Sequence, residues 1–227
     1  MGIIPESSHH EEGPGQNEID FRYSDPMSAA DNTMTFQTVV KTVSRRNGLY
    51  VDFSPKPLKG KPGNGFHINL SLSHSGKEEE MNSMIAGVLN RICEITAFLN
   101  PIENSYARFG EYKAPAYVSW ARENRTQLIR VPFSEKINKR AEIRSPDPYA
   151  NPYIAFGLVI YAAVEGLKNK AELMPAAEIN LFNADAETLK QFKKIPQTLE
   201  EARNAAKNSE FVKKYVPEKL LEFYCGK

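Results

Sequence analysis

The sequence predicts an α+β domain in which strands with one polar face share a concave site and long apolar helices back it. Three patterns carry that reading. Two-residue alternation runs through Glu18–Tyr23, Phe66–Ser73 and Arg140–Arg144, the period of a strand with one buried face. Helical periodicity with start and stop signals marks residues 26–47, 79–99 and 151–167. Between the first helix and the second alternating segment, Pro55, Pro57, Gly60, Pro62, Gly63 and Gly65 make a long loop too rich in breakers for either regular state. With 227 residues, 41% of them hydrophobic, the chain can bury a core, which excludes wholesale disorder.

Taken in order, the chain opens on a polar, acidic stretch that packs His9, His10, Glu11, Glu12 and Glu18 ahead of any helix. Glu18, Asp20 and Arg22 share the polar face of the first alternating strand. Ser24-Asp25-Pro26 supplies a cap and a first-turn proline for a helix through Phe36, Val39, Val40 and Val43, which stops near Gly48. A short strand, Leu49–Phe53, is expected before the breaker-rich loop. In Phe66–Ser73 the apolar residues have one parity, and His67, Asn69, Ser71 and Ser73 have the other. The second long helix closes at Asn100-Pro101, and Asn104–Pro115 reads as a loop too polar to be core. Strands are expected around Ala116–Trp120 and Gln127–Val131. Arg140-Ala141-Glu142-Ile143-Arg144 then places two arginines and a carboxylate on one strand face. Asn151-Pro152 starts an apolar helix, expected to be buried, and the remainder reads as helical, with Thr198-Leu199-Glu200-Glu201 as a capping box. Met84, Cys93 and Phe98 fall at core positions.

Charge and targeting signals narrow the function class. Lys plus Arg is 29 against 28 for Asp plus Glu, so a net charge of +1 offers no global field for nucleic acid or an anionic membrane. The longest apolar run, Tyr153–Val164, falls short of the ~20 residues that cross a bilayer. The start lacks the basic and apolar regions of a secretory signal, and no lipidation motif is present. Cys93 and Cys225 make neither a disulfide framework nor a paired metal motif, so a reducing, cytoplasmic setting is expected.

Three strands therefore present Glu18, His67 and Glu142 on polar faces, with arginines flanking two of them. Carboxylates with an imidazole suit magnesium or manganese, and magnesium characteristically bridges protein carboxylates to nucleotide phosphates. Arginines beside them would clamp anionic oxygens, so the set describes metal-assisted phosphoryl transfer. Plainer readings fit each residue singly. A lone strand histidine is ordinarily a surface group, Glu11 and Glu18 would solvate a chain end, and Gly63-Asn64-Gly65 is as good a plain turn as a substrate loop. Arg140, Glu142 and Arg144 would make a cross-strand surface ladder.

Several stretches together resemble the C-terminal half of a type I glutamine synthetase: SSHHEEGPGQNEIDF, PKPLKGKPGNGFHINLSL, NPIENSYARFGEY, ENRTQLIRVP and RAEIRSPDPYANPYIAF followed by EGLKNK, in family order from Pro5 to about Lys170. The resemblance implies a curved, mainly antiparallel sheet backed by the three helices, with the catalytic domain over 1–170 and its helical tail over 171–227. It makes Glu11 and Glu18 ligands of one Mg2+ or Mn2+, and His67 and Glu142 ligands of a second. It puts Gly63, Arg108 and Arg144 on substrate glutamate, and Arg125 and Arg130 on the transferring phosphoryl group. Glu6, Ser71 and Arg140 fall where the family contacts ATP. The implied reaction phosphorylates the side-chain carboxylate of glutamate from ATP, and ammonia then displaces phosphate.

The departures carry their own expectations. Lys113 stands where the family's closing flap has a glutamate, Pro62 replaces an asparagine, and Asn69 replaces a second histidine near ATP. Phe182 takes the place of the tyrosine that enterobacterial relatives adenylylate, so that switch is absent. The family's β-grasp domain and first catalytic strands, which add one ligand to each metal and an aspartate that deprotonates ammonium, have no counterpart in these residues. The isolated chain is thus expected to be inactive and to form a monomer or small oligomer where the family forms a double-ring dodecamer. Two other functions fit the same residues, a non-catalytic assembly or regulatory fragment and a ligase making γ-glutamyl amides from an amine.

Overall fold

The computed structural model describes residues 2–72, 77–133 and 140–226. Among them, the first element is a hairpin of β1 (Pro5–His10) and β2 (Asn17–Phe21), paired antiparallel with His9 opposite Glu18 and a bulge at Glu6. Helix α1 (Pro26–Arg46) follows, its first turn closed by the Asp25 carboxylate, which accepts from the amides of Met27 and Ser28. Residues 49–53 are not a strand, correcting the expectation. They have no ladder partner among the described residues, and Leu49 and Tyr50 are exposed.

Four strands make the second sheet: β3 (Ile68–Ser71), β4 (Trp120–Arg122), β5 (Ile129–Val131) and β6 (Arg140–Ile143), in the order β3-β6-β5-β4. The β3–β6 and β5–β6 pairs are antiparallel and β4–β5 is parallel, so the sheet is mainly antiparallel and stays open at β3 and β4. The strand expected over 66–73 begins only at Ile68, which leaves His67 just outside the ladder, and Ser73 lies outside the described residues. Residues 116–118 pair instead with the tail. The Val118 amide donates to the Lys193 carbonyl at 2.8 Å and the Ile195 amide to the Ala116 carbonyl at 3.0 Å, so the tail is not wholly helical.

Behind the sheet, α2 (Glu78–Leu99) and α4 (Pro152–Asn169) form the core layer. Their backbones touch at Gly87 and Gly166, where a side chain on Gly87 would meet the Gly166 Cα at 2.7 Å. Met84 and Phe98 are buried as expected, and Cys93 is half-buried against the same core. α4 is less enclosed than its apolar sequence suggests, because Tyr153, Tyr161 and Val164 remain exposed.

The segment expected to be too polar for the core folds inward. A one-turn helix, α3 (Glu103–Tyr106), buries Ser105 and Tyr106, and Arg108 follows at 3% exposure. Several of its polar groups are paired: Tyr106 Oη donates to the Asn100 carbonyl at 2.9 Å and Arg108 Nη1 to the Ser145 carbonyl at 3.1 Å, whereas Arg108 Nε has no hydrogen-bond partner. In the tail, short helices α5 (Ala186–Leu189), α6 (Leu199–Lys207), α7 (Glu210–Tyr215) and α8 (Glu218–Cys225) follow, with α6 packed on α2. The Thr198 hydroxyl caps α6, as expected, by accepting from the Glu201 amide at 3.1 Å. No described helix is long and apolar enough to cross a membrane.

Candidate active site

Strand register aligns the first set of charges. Asn69, Glu142 and Arg130 lie side by side across β3, β6 and β5, and Ser71 faces Arg140 at the ladder's end. Glu142 is 7% exposed and is the centre of this cluster. Its Oε1 lies 3.0 Å from His67 Nδ1 and accepts from Arg144 Nη1 at 2.9 Å. Its Oε2 lies 2.7 Å from Arg130 Nε, yet neither atom has a hydrogen-bond partner, because the two are close but misaligned. One oxygen of a buried carboxylate is therefore left with charge to share. Burial opposes ionisation, but the hydrogen bond from His67, its charge once protonated, and the charges of Arg144 and Arg130 outweigh it and hold Glu142 at about 2.

His67 is pushed below its ordinary range, first by burial and then by Arg144 and Arg108, against the pull of Glu142. A neutral ring that donates Nδ1–H to Glu142 keeps the Nε2 lone pair for a ligand. Gly65 clears that edge, since a Cβ there would stand 2.8 Å from Nε2. Arg108 joins from α3's loop. A Cβ on Gly63 would meet its Cγ at 2.7 Å and the Pro55 carbonyl at 2.5 Å, so only glycine lets loop and arginine close together. Burial brings the Arg108 guanidinium down to about 10, offset by the buried Asp147 carboxylate.

The second set sits on the hairpin. His9, Glu11 and Glu18 each offer a ligand atom, and those atoms lie within 4.8 Å of one another. Burial and the carboxylates of Asp20 and Glu11 raise Glu18, against the smaller pull of His9. Gln16 ties hairpin to loop, its Nε2 donating to the Gly63 carbonyl at 3.0 Å and to Asn64 Oδ1 at 2.9 Å. His67, Glu142, Arg130 and Arg144 are thus in direct contact, Arg108 adjoins them, and Glu11 and Glu18 form a separate cluster. Glu6, Arg125 and Arg140 have exposed side chains, although the Arg125 carbonyl accepts from Arg144 Nε at 3.2 Å. Sequence reasoning missed His9 as a donor, although it lies two residues before Glu11, and missed Gln16 and Asp147.

An open sheet carrying a buried carboxylate, an imidazole and several arginines, with helices behind, is the architecture of a catalytic α+β domain. The chain belongs to the glutamine synthetase catalytic-domain family, whose model matches residues 1–226. Among curated relatives, glutamine synthetases of Methanosarcina mazei and Clostridium saccharobutylicum are each 41% identical, over 243 and 241 residues, covering 100% of this chain and 54% of their own length. Among solved structures, a GmaS/ADP complex superposes with a TM-score of 0.87 at 26% identity, covering 98% of this chain and 56% of that one. GmaS without ligand gives 0.84, also at 26%, with 97% and 54% covered. The chain spans about half the length of the curated relatives it matches.

Proposed function

We propose that this chain carries the phosphoryl-handling face of an enzyme that joins ammonia to glutamate, using ATP, through γ-glutamyl phosphate. The observation that carries the reading is Glu142, a buried carboxylate held ionised whose Oε2 lacks a hydrogen bond and stands beside the His67 imidazole and two arginines, Arg130 and Arg144. That donor set fits Mg2+ or Mn2+, with His67 and Glu142 holding one ion and Glu11 and Glu18, joined by His9, the other. Ions so held would neutralise charge on phosphoryl oxygens.

Arg130 and Arg125 orient the transferring group, and Arg108 and Arg144 hold the carboxylates of glutamate beside Gly63. Glu6, Ser71 and Arg140 line the nucleotide side, and the ADP of the GmaS complex supports a nucleotide in this fold. Pre-set charge of this kind is worth about a hundredfold in rate per donor, so loss of any one should be visible. The unpaired thiols Cys93 and Cys225 support a reducing, cytoplasmic setting.

Phosphate release with ATP, glutamate, ammonium and Mg2+ tests the reading, run on the chain alone and mixed with the separately expressed N-terminal half of the M. mazei enzyme. Turnover is expected only on mixing, abolished by Glu142→Gln. A mixture whose turnover is untouched by Glu142→Gln would overturn the assignment, and an alkylamine preferred over ammonium would make the product a γ-glutamyl amide. Sedimentation of the chain alone is expected to give a monomer or small oligomer, with a dodecamer as the contrary result.

A further inference from the structure

The loop after Arg108 turns back through two consecutive non-glycine residues in the left-handed region, Tyr112 (φ 45°) and Lys113 (φ 67°). Such residues persist only where neighbours hold them. On one side Tyr112 Oη donates to the Gly60 carbonyl at 2.7 Å, and Lys56 Nζ lies 4.8 Å from its ring centre and 3.0 Å from Glu111. On the other side Lys113 forms an ion pair with Glu12, in the turn between β1 and β2 and next to Glu11. The Lys113 carbonyl faces Arg144 Nη2 at 3.5 Å. One residue therefore bridges the sheet cluster and the hairpin cluster, and it brings a positive charge to the carboxylates.

We propose that Lys113 is a built-in counter-cation of the hairpin, so that the Lys113–Glu12 latch and a divalent cation at His9, Glu11 and Glu18 oppose one another. Metal binding displaces the lysine and frees the 111–113 turn, and by reciprocity the closed latch weakens metal binding by the same factor. The inference rests on the metal reading of the hairpin given above, and adds that this loop reports and resists occupancy there. Because Lys113 is ion-paired with Glu12, the loop is closed by attraction to the hairpin before any metal arrives.

The test uses the whole 227-residue chain and Mn2+ alone. Mn2+ binding is followed by the electron paramagnetic resonance signal of the free ion, with Glu11→Gln to identify the hairpin site. Lys113→Met is expected to tighten binding there by about threefold to tenfold, Lys113→Arg to leave it near wild type, and added salt to narrow the difference. Hydrogen–deuterium exchange in the 110–114 loop is expected to speed up on adding Mn2+ to the wild type and to be fast in Lys113→Met from the start. Hairpin binding unchanged by Lys113→Met, or a loop protected by Mn2+, would overturn the latch alone. An absence of Mn2+ binding sensitive to Glu11→Gln would overturn the metal reading and the latch with it.

Discussion

The layer of α2 and α4 and the layer of hairpin and α1 are built from similar lengths of chain and do opposite things with them. α2 is buried along most of its length from Met81 to Leu99, whereas α1, almost as long, buries only Ala30 and Thr33 and exposes Met27, Met34 and Val43. The first layer is fixed by backbone contact between two helices, and the second is attached by polar links such as Gln37 to the Pro148 carbonyl and Tyr153 to Asp31. The difference teaches that stability and charge are kept apart. The rear layer anchors β6 from behind, so the sheet can carry a desolvated carboxylate, while the acids that tolerate solvent sit on the loosely attached front. Openings of low free energy are expected at the front and global unfolding at the rear.

The sharpest way to break that contrast is Gly87→Ala. Alanine favours a helix over glycine by about 1 kcal/mol, but its Cβ would press on the Ala162 carbonyl and the Gly166 backbone, which cannot rotate away. The clash should win, with a loss of about 2–3 kcal/mol in urea-induced unfolding. Gly157→Ala in α4 is the control: nothing lies within 4 Å of its Cβ, so the same change should stabilise by about 0.5–1 kcal/mol. Two losses of equal size would mean that backbone contact is not what fixes the rear layer.

A smaller effect is expected where the layers meet, at Glu142. Its folded pKa of about 2 is below the usual 4.5, so it contributes stability that is full above pH 4.5 and is lost as pH falls towards 2. Unfolding midpoints measured between pH 6 and pH 2.5 should fall more steeply for wild type than for Glu142→Gln. Parallel curves would show that His67, Arg130 and Arg144 do not hold the carboxylate ionised.

The smallest effect belongs to the front. Asp25→Ala removes the cap of α1, so the Met27 and Ser28 amides should exchange faster while the thermal midpoint of the rear layer stays put. A matching drop in that midpoint would join α1 to the cooperative core and erase the distinction between layers.

The three long helices were legible because caps and apolar period agreed in each, at Asp25, Asn100 and Asn151. Alternation likewise exposed the polar rows of β2, β3 and β6. The strand expected at 49–53 did not form, since a strand also needs a neighbour and none pairs with it among the described residues. The burial of Arg108 was invisible for the opposite reason: its partners, Ser145 and Asp147, lie far along the chain, and no local pattern announces them. Of the candidate site, alternation made the residue types readable and the resemblance paired them, but the contacts themselves depend on the register of β3, β5 and β6. His9 was within reach, because it lies only two residues before Glu11.

The His67–Glu142 pair closes across strands separated in the chain by α2 and by both parallel strands, whereas His9, Glu11 and Glu18 lie within one local hairpin. A polypeptide leaving the ribosome thus completes its hairpin acids early and its buried cluster only once β6 has emerged. For that interval during synthesis the nascent protein has one cluster of acids and lacks the other, so the two are assembled at different times.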